Sequence, residues 1–179
     1  PGGLTFAAKS TLFNIPVLSR IMRWINVQPV QRAQDNVGSD EERKKANSAL
    51  IDTLAELVAN GERIAIFPEG MSHTESHAVE IKTGAARILL EAHQRAAKAG
   101  KPAPSIVPIG LHYSDQHSFR ERVSLQINRT METPPLPHQE GAPLPSEEEI
   151  EQFGEQAHDR VWCNSVTASL QTELNRISH

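Results

Sequence analysis

The chain has 179 residues, enough for one domain or most of one, and its formal net charge of −4 gives no overall attraction for nucleic acid or anionic lipid. Hydrophobic residues at 38% and charged residues at 22% match an ordinary soluble chain able to bury a sizeable core. The single cysteine, Cys163, excludes an internal disulfide and a multi-cysteine metal site, and no run approaches the ~18 apolar residues of a membrane-spanning helix.

The start, Pro1-Gly2-Gly3-Leu4, has neither an initiator methionine nor the basic-then-apolar pattern of a signal peptide, so a piece of a longer or processed chain is expected. Residues 12–25 read as a short amphipathic helix opened by Pro16, with Val17, Ile21, Trp24 and Ile25 on one face and Arg20 and Arg23 on the other. Phe13, Leu18, Met22 and Trp24 beside the two arginines would also suit a membrane interface; a core helix is the plainer alternative. A short extended run, residues 27–30, follows and ends at Arg32.

Residues 40–59 form a helix by pattern: Ser39 can cap it, Asp40, Glu41 and Glu42 fill the first turn, and Leu50, Leu54, Leu57 and Val58 supply an apolar face. Asn60-Gly61 stops it, and a buried strand is expected over residues 63–67. A second helix is expected over 83–99, burying Ala85, Ala86, Ile88, Leu89 and Ala92. A second buried strand is expected over 106–111, and an edge strand over 123–128. Residues 133–146 read as a proline-rich loop, and a final helical region runs from 147 to about 177. Its inner face would include Ile150, Phe153, Val161, Trp162, Val166 and Leu170. Alternating helices and strands argue for an α/β fold, a mixed and largely parallel sheet flanked by helices. The division expected is an α/β domain over 1–132, the loop over 133–146 and a C-terminal helical segment over 147–179.

The strand at 63–67 delivers Phe67-Pro68-Glu69-Gly70 to a tight turn, and strand ends in such sheets are where ligands bind. Three segments then line up: Gln28-Pro29-Val30-Gln31-Arg32-Ala33-Gln34-Asp35, Ile66-Phe67-Pro68-Glu69-Gly70-Met71-Ser72-His73, and Ile106-Val107-Pro108-Ile109-Gly110. In this order and spacing they resemble the second, third and fourth sequence blocks of the glycerophosphate and lysophospholipid acyltransferase family. The wording of the first two, and Lys82-Thr83-Gly84-Ala85-Ala86, is most similar to the branch that acylates glycerol 3-phosphate or dihydroxyacetone phosphate. The resemblance covers roughly residues 5–112.

The resemblance implies an enzyme of phospholipid biosynthesis that moves a fatty acyl group from acyl-CoA or acyl carrier protein to a glycerol phosphate or lysophospholipid hydroxyl. It requires no metal or bound organic cofactor, involves no nucleic acid, and places the enzyme peripherally on the cytoplasmic side of a membrane. Arg32 would grip the substrate phosphate through its two-pronged guanidinium. Glu69 would order the acceptor glycerol, since a carboxylate repels a phosphate; otherwise it holds its own turn by accepting backbone N–H bonds. Gly70 lets the backbone turn beside a ligand. Many members carry arginine two places after that glycine, whereas this chain has Ser72 followed by His73, so His73, Lys82 or Arg32 must supply the missing phosphate contact. Lys82 would stand at a helix start that also favours anions. Pro108 would shape a strand end near the acyl or acceptor pocket.

The family's chemistry rests on a histidine followed five positions later by aspartate, one acting as general base and the other orienting it. None of the eight histidines here has that aspartate. In the family the pair precedes the first of the three segments, so it is expected upstream of Pro1, together with the domain's first strand–helix unit. The fragment alone is then expected to be inactive. The rival reading is a catalytically dead lipid- or acyl-CoA-binding relative. A weaker one, a metal-dependent phosphate-ester hydrolase, rests on His73, His77, His112 and His117, but no glutamate follows His73 as in the zinc helix motif.

Overall fold

A computed structural model describes residues 4–9, 27–30, 39–69, 79–114 and 122–177. It divides into two compact units, one formed by residues 1–66 with 87–104 and the other by 67–86 with 105–179. Both helices and strands are present, as the α/β class requires.

The first unit contains a three-stranded sheet in the order β2-β1-β3, formed by β1 (Leu4–Lys9), β2 (Val27–Val30) and β3 (Arg63–Ala65). Both neighbours run parallel to the central β1, with Phe6 opposite Val27 on one side and Ala65 on the other. The sequence pattern did not foresee β1. β3 is shorter than the expected 63–67, and it is not a buried strand: Arg63 is exposed, Ile64 and Ala65 are half-buried, and Ile66 and Phe67 are 40% and 67% exposed. Pro68 has no N–H to offer a ladder, and pairing stops three residues before it, at Ala65.

Helix α1 (Asp40–Ala59) starts where its chemistry says it should. The Ser39 hydroxyl accepts from the Glu42 N–H, and the Glu42 carboxylate accepts from the Ser39 N–H at 2.9 Å, so two otherwise orphaned donors are satisfied reciprocally. Asp40, Glu41 and Glu42 complement the positive end of the helix. At the other end the Asn60 N–H donates to the Glu56 carbonyl at 3.0 Å, and Gly61 turns the chain at φ 89°, where a side chain would be strained. Replacing Ser39 with alanine is expected to cost about 1 kcal/mol, read as a lower midpoint in urea unfolding.

Helix α2 (Gly84–Lys98) packs its residues from Ile88 onward against α1. Ile51, Leu54, Ala55 and Ala59 meet Ile88, Ala92 and Ala96, and the three central alanines are fully buried. Small side chains at the contact bring helix axes close, so this core gains density rather than bulk. The apolar face of α1 is thus centred on Ile51, Leu54 and Ala55, with Leu50, Leu57 and Val58 only partly buried at its margin. Arg95 ties the helices at the surface by pairing with Asp52 of α1 and Glu91 of its own helix. Burial lowers the His93 pKa from the usual 6.5, opposed by a hydrogen bond with the Pro104 backbone.

The second unit holds a separate antiparallel pair, β4 (Ile109–Tyr113) and β5 (Val123–Ile127). The described strands therefore form two sheets and not one mixed sheet. β4 begins later than the expected 106–111, because Pro108 lacks an N–H; Ile106 makes only an isolated bridge to Met131. Nor is β4 buried on both faces. Ile109, Leu111 and Tyr113 lie opposite Ile127, Leu125 and Val123, and all six are exposed. The alternate residue Gly110 faces α4 (Gln156–Ile177): a Cβ there would stand 3.3 Å from the Ile177 carbonyl oxygen and 3.1 Å from His112 Nε2.

The C-terminal region is two helices. α3 (Glu147–Phe153), capped by Ser146 and Glu149, ends at Gly154 with φ 57°, and α4 follows. Trp162, Val166 and Leu170 are buried on α4 as their spacing predicts, whereas Ile150 on α3 is exposed because the break resets the helical phase. Residues 133–146 contain no helix or strand, and the Trp162 indole N–H pins them by donating to the carbonyls of Pro135 at 3.0 Å and Pro134 at 3.3 Å. Among the described residues no helix is long and apolar enough to cross a membrane.

Candidate functional site

Three of the seven candidate residues, Glu69, Lys82 and Pro108, are described; Arg32, Gly70, Ser72 and His73 lie outside the described residues, as does the expected helix at 12–25. Glu69 is half-buried in the turn that follows β3. Thirteen residues after Glu69, the Lys82 N–H donates to the Pro68 carbonyl at 3.0 Å. The main chain at Lys82 is therefore fixed beside the residue preceding Glu69, while the Lys82 side chain is exposed. An exposed ammonium can reach an anionic group arriving from solvent.

Lys82 is held from the other side through Ile81, which is 6% exposed. The Ile81 N–H donates to Gln171 Oε1 of α4 at 2.9 Å, and Gln171 Nε2 donates to the Val79 carbonyl at 3.3 Å. Helix α4 therefore buttresses the segment that leads into α2.

Pro108 is buried immediately before β4, so it shapes the beginning of a strand. Its carbonyl accepts from the Asn128 N–H at 3.0 Å, just past the end of β5. The Asn128 side chain in turn donates to Glu173 on α4 at 2.6 Å. Gln171 and Glu173 thus connect one helix to the neighbourhoods of two candidate segments, Pro68 to Lys82 and Pro108. Neither was singled out from sequence, and the partners that make these connections lie tens of residues away.

Of the four histidines behind the metal reading, only His112 is described. Among the described residues there is no group of three or more His, Cys, Asp or Glu side chains able to hold a metal ion. The His158 and His138 rings lie tilted against each other with centroids 4.3 Å apart, a pair distinct from those four.

The family model described as Acyltransferase matches residues 1–112, which include all seven candidate residues. Among curated proteins, glycerol-3-phosphate O-acyltransferase 1 of Saccharomyces cerevisiae is 30% identical over 91 residues, 51% of this chain and 12% of that protein. An uncharacterized acyltransferase of Schizosaccharomyces pombe is 31% identical over 77 residues, 43% of this chain and 11% of that protein. The chain thus spans about an eighth or less of the length of these relatives. No solved structure gives a significant match.

Proposed function

Since this chain belongs to the acyltransferase family, we propose that it binds the acceptor in an enzyme that acylates glycerol 3-phosphate or a related lysophospholipid. One observation carries the reading: the family match spans Arg32, Glu69, Gly70, Ser72, His73, Lys82 and Pro108 together. The similarity to a yeast glycerol-3-phosphate O-acyltransferase supports the choice of acceptor. The bond from Lys82 to Pro68 is consistent with it, because it holds the main chain of a lysine beside the glutamate turn.

In this reading Arg32 and Lys82 neutralise the acceptor phosphate, with Ser72 and His73 adding hydrogen bonds. Glu69 accepts from a glycerol hydroxyl and leaves the phosphate to the cations. A histidine–aspartate pair outside these 179 residues takes the proton of the attacking hydroxyl. That oxygen forms the ester bond to the thioester carbonyl, the carbon–sulfur bond breaks, and the thiolate leaves and takes up the proton. Acyl-CoA or acyl carrier protein is a substrate here and not a resident group. Peripheral membrane contact and a domain over 1–132 belong to the same proposal.

The test is release of free thiol from acyl-CoA by the full-length protein. Release is expected to depend on glycerol 3-phosphate and to yield the acylated phosphate ester. Thiol release that ignores the acceptor, or none at all, would sink the reading. A binding-only relative is the second reading, and a full-length protein without a histidine–aspartate pair five positions apart would favour it. Acyl-CoA binding without turnover would establish it.

A further inference from the structure

Residues 79–82 are held from two sides, and the second side is built from a single side chain. The Gln171 amide uses both of its ends: Oε1 accepts from the Ile81 N–H at 2.9 Å, and Nε2 donates to the Val79 carbonyl at 3.3 Å. An amide set against a carbonyl and the N–H two residues later copies the pairing that a neighbouring strand would provide. Its orientation follows from the chemistry. Reversed, the NH2 would face the Ile81 donor and the oxygen would face the Val79 acceptor, losing both bonds. A further bond from Nε2 to Asn175 Oδ1 at 3.1 Å, one turn along α4, steadies the group.

Opposite this clasp, the Lys82 N–H donates to the Pro68 carbonyl. The three backbone groups engaged, Val79 C=O, Ile81 N–H and Lys82 N–H, leave this stretch little freedom to slide along the Glu69 turn. In sequence, the same stretch closes the segment that carries Ser72 and His73.

We propose that Gln171 is a positioning residue for the acceptor site, holding residues 79–82 so that Lys82 stays at the Glu69 turn. The role rests on the acceptor reading given above, since it gives Lys82 a phosphate to meet. Gln171 itself touches no substrate. Helix α4 lies outside the span of the family match, so the clasp is a support added to this chain's acyltransferase region from its C-terminal helix.

The experiment compares Gln171→Met and Gln171→Glu with the parent in the full-length enzyme, by amide hydrogen exchange and by steady-state kinetics. Methionine keeps the length and removes both bonds; glutamate keeps an acceptor for Ile81 and loses the donor to Val79. For methionine, exchange at Ile81 and Lys82 is expected to quicken about tenfold, and the acceptor KM to rise about tenfold, with kcat and the acyl-thioester KM within about twofold. Glutamate should fall between methionine and the parent. Unchanged exchange at Ile81 would overturn the clasp. Faster exchange with an unchanged acceptor KM, in either variant, would overturn the positioning role, as would an equal change in both KM values. If the parent shows no acceptor-dependent turnover, the acceptor reading fails and the positioning role falls with it. Ile81 exchange then still decides whether the clasp exists.

Discussion

Replacing Trp162 with alanine is expected to lower the stability of the protein by about 3–5 kcal/mol. The indole is fully buried on α4, flanked along the same face by Val166 and Leu170. Its N–H donates to the carbonyls of Pro134 and Pro135, which anchors the proline-rich stretch to the helix. Alanine removes the apolar contact, leaves a cavity in a close-packed interior and strands those carbonyls. Phenylalanine keeps most of the packing and loses the N–H, so Trp162→Phe should cost roughly 1–3 kcal/mol. Urea unfolding followed by circular dichroism separates the two without relying on the fluorescence of the residue removed. A loss below about 1 kcal/mol for alanine would mean that the site collapses around the gap.

The effect matters beyond Trp162 because α4 carries Gln171 and Glu173 as well. Loosening the helix should also slacken the backbone at Ile81 and the end of β5 near Pro108. Stability and site geometry in this unit therefore share one element.

The parts legible in the sequence are those whose cause is local. The start of α1 could be read because Ser39 and Glu42 lie three residues apart and cap each other. Trp162, Val166 and Leu170 could be read as an inner face because they repeat at helical spacing. The candidate site rests on wording alone, in the residues around Arg32, Glu69 and Pro108, and the family match spans that wording.

What was missed depends on partners far along the chain. β1, Leu-Thr-Phe-Ala-Ala-Lys, shows no clear alternation, and its neighbours begin at Val27 and Arg63. The apolar run around Pro108 suggested burial, but among the described strands β4 pairs only with β5, and Ile109, Leu111 and Tyr113 are exposed. Gln171 carries no signal at all. Nothing marks a glutamine within a helix as the clasp for a backbone 90 residues away.

If Arg32 grips the acceptor phosphate as proposed, Arg32→Ala in the full-length enzyme is expected to raise the acceptor KM about a hundredfold, the loss of two charge-assisted hydrogen bonds. Arg32→Lys keeps the charge and loses the two-pronged geometry, so its rise should be roughly tenfold. The acyl-thioester KM should stay unchanged in both, since that substrate gains nothing from the acceptor's cation. Arg32 follows β2 by two residues in sequence, and Phe67 follows β3 by two. Adding salt should weaken acceptor binding in the parent more than in the alanine variant, because the screened attraction is the one removed. Equal losses for acceptor and thioester would make Arg32 a structural residue. The phosphate would then fall to Lys82 alone, and Lys82→Ala would have to produce the larger rise.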